Sequence, residues 1–99
     1  MAKNFKMIVH RNSESVHFRL IGDFDGSSAC ELLSAIQRHE KAAKVFIHTN
    51  CLKSVDPFGQ NVFQNNLECK KDPRSLVIFT GDNASQLDPK RGQPSQVYY

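Results

Sequence analysis

The stretch Ser15–Lys41, "SVHFRLIGDFDGSSACELLSAIQRHEK", changes its apolar period partway along, and that change decides the fold. In its first part Val16, Phe18 and Leu20 alternate with His17 and Arg19. A period of two marks a strand over Ser15–Gly22 with one buried face and one wetter face. Further on, Ala29, Leu32, Leu33 and Ile36 fall at i, i+3, i+4 and i+7, the stripe of an amphipathic helix. Ser28, followed three residues later by Glu31, matches a capping box, so the helix is predicted to start there. The chain thus passes from strand into helix through "GDFDGSS".

Working outward, "KMIVH" (Lys6–His10) reads as another strand. The polar "RNSE" after it reads as a hairpin connection, which makes the first two strands antiparallel. "KVFIHT" (Lys44–Thr49) and "SLVIFTG" (Ser75–Gly81) supply a third and a fourth strand. The continuous apolar run Leu76–Phe79 suits a parallel strand inside a sheet. Between them a helix begins near Asp56 and stops before "KDPR", where Pro73 disfavours helical geometry at Asp72. Within residues 82–99, a polar segment, "NASQL" suits one helical turn and "QVYY" an edge strand; Pro89 and Pro94 forbid a long helix. The expected architecture is a single small α/β domain over residues 1–99, with its core in about 5–81. Its mixed four- to five-stranded sheet opens with a β-hairpin and continues β-α-β-α-β through right-handed crossovers.

The 99 residues suffice for one modest core, and 39% hydrophobic with 23% charged residues is ordinary globular composition. No apolar run nears the ~20 residues of a membrane helix, and the first residues lack the apolar core of a secretory signal. A cytoplasmic protein with no membrane insertion is expected. The net charge of +3 is spread among acids, without the concentrated basic face of a nucleic-acid binder. Cys30, Cys51 and Cys69 are odd in number and far apart, which argues against a disulfide framework. They read as small buried hydrophobes or ordinary free thiols. His48 and Cys51 make at most half a metal site, and His10, His17 and His39 stand isolated in the chain, so neither metal nor cofactor is expected.

The corner "KSVDPFGQNVF" (Lys53–Phe63) carries the most local information. Asp56 is a favoured N-cap, Pro57 suits the first helical position, and Gly59 permits close approach to the preceding strand or to a partner. No nucleophile elbow, phosphate loop or dinucleotide fingerprint occurs, and Asp23 and Asp25 lack a partner base. The chain is expected not to be an enzyme.

"LIGDFDGSSACELLSAI" resembles the signature of STAS domains, the fold of bacterial anti-sigma factor antagonists, with Gly22, Phe24, Asp25, Ser28, Ala29 and Leu32 in its places. "VFIHTNCLKSVDPFG" resembles the family's second block without a gap, from Val45–Ile47 through Val55 and Asp56 to Gly59. There, however, Pro57 replaces the phosphoacceptor serine, Phe58 the next Ser/Thr, and His48 the strand aspartate. The second helix is also more polar than in relatives, with Gln60, Asn61, Gln64, Asn65 and Asn66, leaving Val62, Phe63 and Leu67 as core anchors. The resemblance implies a non-catalytic regulatory binder without a phosphorylation switch, its partner an anti-sigma factor of the serine-kinase type or another regulatory component. It implies a partner surface of Asp23, Asp25, Gly26, Ser27 and Ser28 with Asp56, Pro57, Phe58, Gly59, Gln60 and Val62. Two fates are open to Phe58, an exposed anchor or a buried prop. Two alternative roles are an accessory subunit of a membrane-transporter ATPase and a small-ligand or nucleotide binder at the carboxyl ends of the parallel strands.

Overall fold

The computed structural model describes residues 4–39, 41–70, 75–88 and 97–98. The elements follow in the order β1 (Lys6–Arg11), β2 (Ser15–Phe24), α1 (Gly26–Arg38), β3 (Lys44–Val55), α2 (Pro57–Lys70), β4 (Leu76–Thr80), α3 (Ala84–Leu87) and β5 (Val97–Tyr98). The sheet has five strands in the order β1-β2-β3-β4-β5; β1 is antiparallel to β2, and every later pair is parallel. This is the mixed α/β architecture expected from the change of period.

Two crossovers that advance the same way along a sheet, both right-handed, put their helices on one face. The core agrees: Val16, Phe18, Leu20 and Phe24 of β2, Val45 and Ile47 of β3 and Phe79 of β4 form one cluster with Leu32, Leu33 and Ile36 of α1 and Phe63 and Leu67 of α2. A run of edge-to-face rings ties this layer together. Phe5 meets Phe24, Phe24 meets Phe63, and Phe63 meets Phe79, each pair with ring centroids 6.1 Å apart. That geometry sets the positive edge of one ring against the negative face of the next. Among the described residues, all three helices contribute to this one core cluster.

The ends of β2 and β3 and the start of α1 differ from the sequence reading. Strand β3 runs on to Val55 instead of ending at Thr49, because β2 itself continues to Phe24 and pairs Ile21, Gly22, Asp23 and Phe24 with Cys51, Leu52, Ser54 and Val55. The polar "NCLKS" thus belongs to a ladder interrupted by bulges, where one face is wet and its side chains carry no apolar signal. Helix α1 starts at Gly26 with Asp25 as its cap, and the Ser28–Glu31 box does not form. Of the two readings of the cysteines, the free thiol is the one observed, since all three are exposed.

Phe63 is fully buried and touches the aromatic side chains of two strands, so it bears most directly on the stability of the helix layer. Phe63→Ala is expected to cost about 3–5 kcal/mol through lost burial and the cavity left behind. Urea unfolding followed by circular dichroism measures it.

Candidate functional site

The carboxyl ends of β2 and β3 deliver the chain into α1 and α2 side by side, and both helix starts are capped by an aspartate. At α1 the Asp25 carboxylate accepts the Ser28 amide at 2.9 Å through Oδ1, which also accepts the hydroxyls of Ser28 at 3.0 Å and Ser27 at 3.1 Å. These donors, the backbone amide foremost, hold the Asp25 carboxyl below its ordinary value of 3.8. At α2 Asp56 Oδ1 accepts the Phe58 amide at 3.2 Å, and Pro57 takes the first helical position, where no amide is needed. Asp56 also donates its own amide to the Phe24 carbonyl at 2.8 Å, stitching the second cap to the end of β2.

Two glycines allow the starts to approach. A Cβ on Gly59 would lie 2.6 Å from the Asp25 carbonyl carbon and oxygen, and one on Gly26 would lie 2.7 Å from the Phe58 ring. Gly59 therefore seats α2 on the cap of α1, rather than on its own preceding strand. Gly22, just upstream, has φ +93, and a Cβ there would run into the Asn4 carbonyl, so this strand position also requires glycine.

Asp56, Pro57 and Phe58 are exposed, and Phe58 keeps 66% of its surface accessible while one ring edge rests on Gly26. Of its two open fates, the exposed one is realised. Ser27 is exposed beside it, and Asp25 and Gly26 are half-buried. Asp23 sits behind, its carboxylate accepting Ser54 Oγ at 2.8 Å. Ser28 and Gly59 are buried and support the patch from below, with the Ser28 hydroxyl also reaching the Asp23 carbonyl at 3.1 Å. Val62 faces the core as a half-buried side chain. Gln60 is turned aside: its Nε2 donates to the Gln86 carbonyl at 2.7 Å, and Gln64 does the same at 2.9 Å. The unusual polarity of α2 therefore supplies amide donors to the end of the short helix α3, whose carbonyls have no partner inside the helix.

The sequence reading missed a second cluster on the open face of the sheet. His17, read as isolated, and His48, read at most as half a metal site with Cys51, lie on neighbouring strands with His17 Nδ1 2.9 Å from His48 Nε2. His48 Nδ1 is 2.7 Å from Thr80 Oγ1, and Phe46 stacks on His17 with ring centroids 4.4 Å apart. The signal was in the register: His17 pairs with Phe46 and Arg19 with His48, so His48 stands diagonally from His17 on the same face. Burial, then His17, then Arg19 lower the His48 pKa below 6.5. Among the described residues no group of three or more His, Cys, Asp or Glu side chains is arranged to hold a metal, and no helix is long and apolar enough to cross a membrane.

Comparison with known proteins identifies the fold. No family model and no curated protein matches the sequence. Among solved structures, the chain is similar to the anti-sigma factor antagonist SpoIIAA in its unphosphorylated form, at TM-score 0.64 and 15% identity over 96% of this chain and 86% of that one. It is also similar to an uncharacterized protein from Shewanella loihica with a SpoIIAA-like fold, at TM-score 0.53 and 11% identity over 97% and 86% of the two chains. A third likeness, to a structure titled Mglu, has TM-score 0.60 and 18% identity; it covers 85% of this chain but 20% of the other. The fold is that of SpoIIAA, as the two sequence blocks implied.

Two outcomes follow from the paired caps. Gly59→Val is expected to destabilise the fold by about 1–3 kcal/mol, because the new side chain must push apart two backbones that cannot yield cheaply; denaturant midpoints report it. The Asp25 carboxyl is more acidic folded than unfolded, so the stability it contributes is complete above its unfolded value and is lost as pH falls through the lower folded one. Asp25→Asn should flatten the acid limb of the stability profile, measured by urea unfolding across the acid range.

Proposed function

We propose that the chain is a non-catalytic protein-interaction module that docks through the two helix starts and has no phosphorylation switch at that surface. The fold likeness to an anti-sigma factor antagonist supports the class of module. One observation carries the reading: the turn Asp56–Pro57–Phe58 is exposed, holds an accessible aromatic ring, and contains no hydroxyl. Proline and phenylalanine have no oxygen to accept a phosphoryl group. A phosphate would add roughly −1.5 to −2 charges and block such a patch. Without an acceptor, the patch stays available.

The chemistry of the patch fits a protein surface. Phe58 is a large apolar anchor in a rim of Asp25, Ser27 and Asp56, the pattern of a hot spot surrounded by polar groups. The same rim disfavours a nucleotide at the carboxyl ends of the strands, because Asp23, Asp25 and Asp56 repel phosphate and Pro57 lacks an amide donor. The partner proposed is an anti-sigma factor of the serine-kinase type or another regulatory component. The protein would bind it in the cytoplasm, without nucleic acid, cofactor or membrane insertion.

Phe58→Ala is expected to weaken the partner complex about tenfold or more while leaving the fold intact, since the ring is exposed. Intact mass after incubation with an anti-sigma kinase and ATP should show no phosphate on residues 56–59. A phosphate there would overturn the reading, and one on Ser27, Ser28 or Ser54 would place a switch beside the patch instead. Co-purification of a transporter ATPase in place of a sigma-factor regulator would reassign the pathway.

A further inference from the structure

The open face of the sheet, opposite the helices, contains a depression of about 390 Å³ lined by Ile8, His10, His17, Arg19 and His48. The strand register makes the composition of this face explicit. Strand β1 contributes Lys6, Ile8 and His10, β2 contributes His17 and Arg19, β3 contributes Lys44, Phe46 and His48, and β4 contributes Leu76, Ile78 and Thr80. Every titratable or charged group among these is basic. The nearest carboxylate on β2 is Asp23, about 13 Å further along the strand and already bonded to Ser54. Arg19 is exposed and has no hydrogen-bond or ion-pair partner among the described residues. A guanidinium and three imidazoles therefore converge on one hollow, with no ion-pair partner for Arg19 among the described residues.

The hydrogen bonds around the hollow favour an anion over a metal. His17 Nδ1 and His48 Nε2 are turned on each other, and the second nitrogen of His48 is taken by Thr80, so His48 has no free lone pair to offer a cation. His17 Nε2 has no partner among the described residues. Suppose the Thr80 hydroxyl donates to His48 Nδ1 and His48 Nε2–H donates to His17 Nδ1. His17 Nε2 then carries its hydrogen into the hollow as a donor. The chain can also accept one proton: His17 becomes an imidazolium donating to His48, and His48 Nδ1–H turns on the Thr80 oxygen. A second proton is excluded, because two N–H groups would face each other. Burial is the main cause of the lowered His48 pKa, and the positive charge of His17 and Arg19 adds to it. Ile8, 53% exposed, forms an apolar wall beside the donors.

We propose that this hollow binds a small phosphate ester, its dianionic oxygens held by Arg19, His10 and the outward nitrogen of His17, and its organic part against Ile8. The site lies on the face away from the helix starts and does not depend on the docking function. Binding is coupled to uptake of a proton by the imidazole chain. An imidazole that gains an anionic partner holds its proton more tightly, so the affinity for a dianion of fixed charge rises as pH falls through the imidazole range. A phosphate ester, by contrast, also loses its second charge below about pH 6.

The test uses the full chain, labelled with ¹⁵N, and follows its imidazole and arginine side-chain resonances at constant ionic strength. Sulfate serves as the first probe, because its charge does not change between pH 5.5 and 7.5, and inorganic phosphate and glycerol phosphate follow. Saturable shifts confined to His10, His17, His48 and Arg19 are expected, with sulfate bound at least about tenfold more weakly at the higher pH. Glycerol phosphate should bind more tightly than inorganic phosphate. Arg19→Gln should lose about tenfold in affinity, the worth of one charge-assisted hydrogen bond. Arg11→Gln, a change outside the hollow, should lose nothing. Shifts that fail to saturate, that saturate at the same concentration in Arg19→Gln, or that match at both pH values would overturn the proposal.

Discussion

Two helix starts share one narrow space, and the rest of the molecule is arranged around that contact. The backbone of Gly59 rests on that of Asp25, with no room for a side chain between them. Because β2 and β3 are parallel neighbours, their carboxyl ends deposit both helices at the same edge of the sheet. Like ends of two helix dipoles then lie close together, an arrangement that is unfavourable by itself. The carboxylates of Asp25 and Asp56 offset it, each accepting amides from the first turn it caps. Cap, glycine and parallel pairing are one solution to one constraint.

That solution also determines what reaches solvent. With Gly59 pressed inward, the residue before it on the first turn is carried outward, and Phe58 ends with its ring edge on Gly26 and most of its surface exposed. A bulkier residue at position 26 would displace the ring. The polar face of α2 is likewise structural at Gln60 and Gln64, whose amides close the end of α3. The exposed aromatic is left beside the caps, in a turn whose own residues, Asp56, Pro57 and Phe58, carry no hydroxyl. With both helices on one face, cross-strand pairing gathers the histidines on the other.

Parts of this were legible in the residues. The alternation at Val16, Phe18 and Leu20, the helical stripe from Ala29 to Ile36 and the apolar run at β4 report burial, which is a local pattern in a chain with one core. Asp56 and Pro57 report a helix start by chemistry that involves only the first turn. The α1 cap was misread because Ser28 and Asp25 are both acceptable cap residues three positions apart. The choice fell to Asp25 because the strand pairing of Phe24 with Val55 fixes where the extended backbone ends. Strand β3 was cut short for the same reason, since its later half is held by its neighbour rather than by its own propensity.

By itself the sequence determined the order of elements, the buried faces, the α2 cap and the lack of a hydroxyl at residues 56–59, because each depends on residues within a few positions of one another. Only the tertiary structure decided that Gly59 meets Asp25, that Phe58 is exposed, and that His17, His48 and Thr80 form one chain. These depend on which strands become neighbours and in what register, and a register shift of one residue would turn the same side chains to the other face.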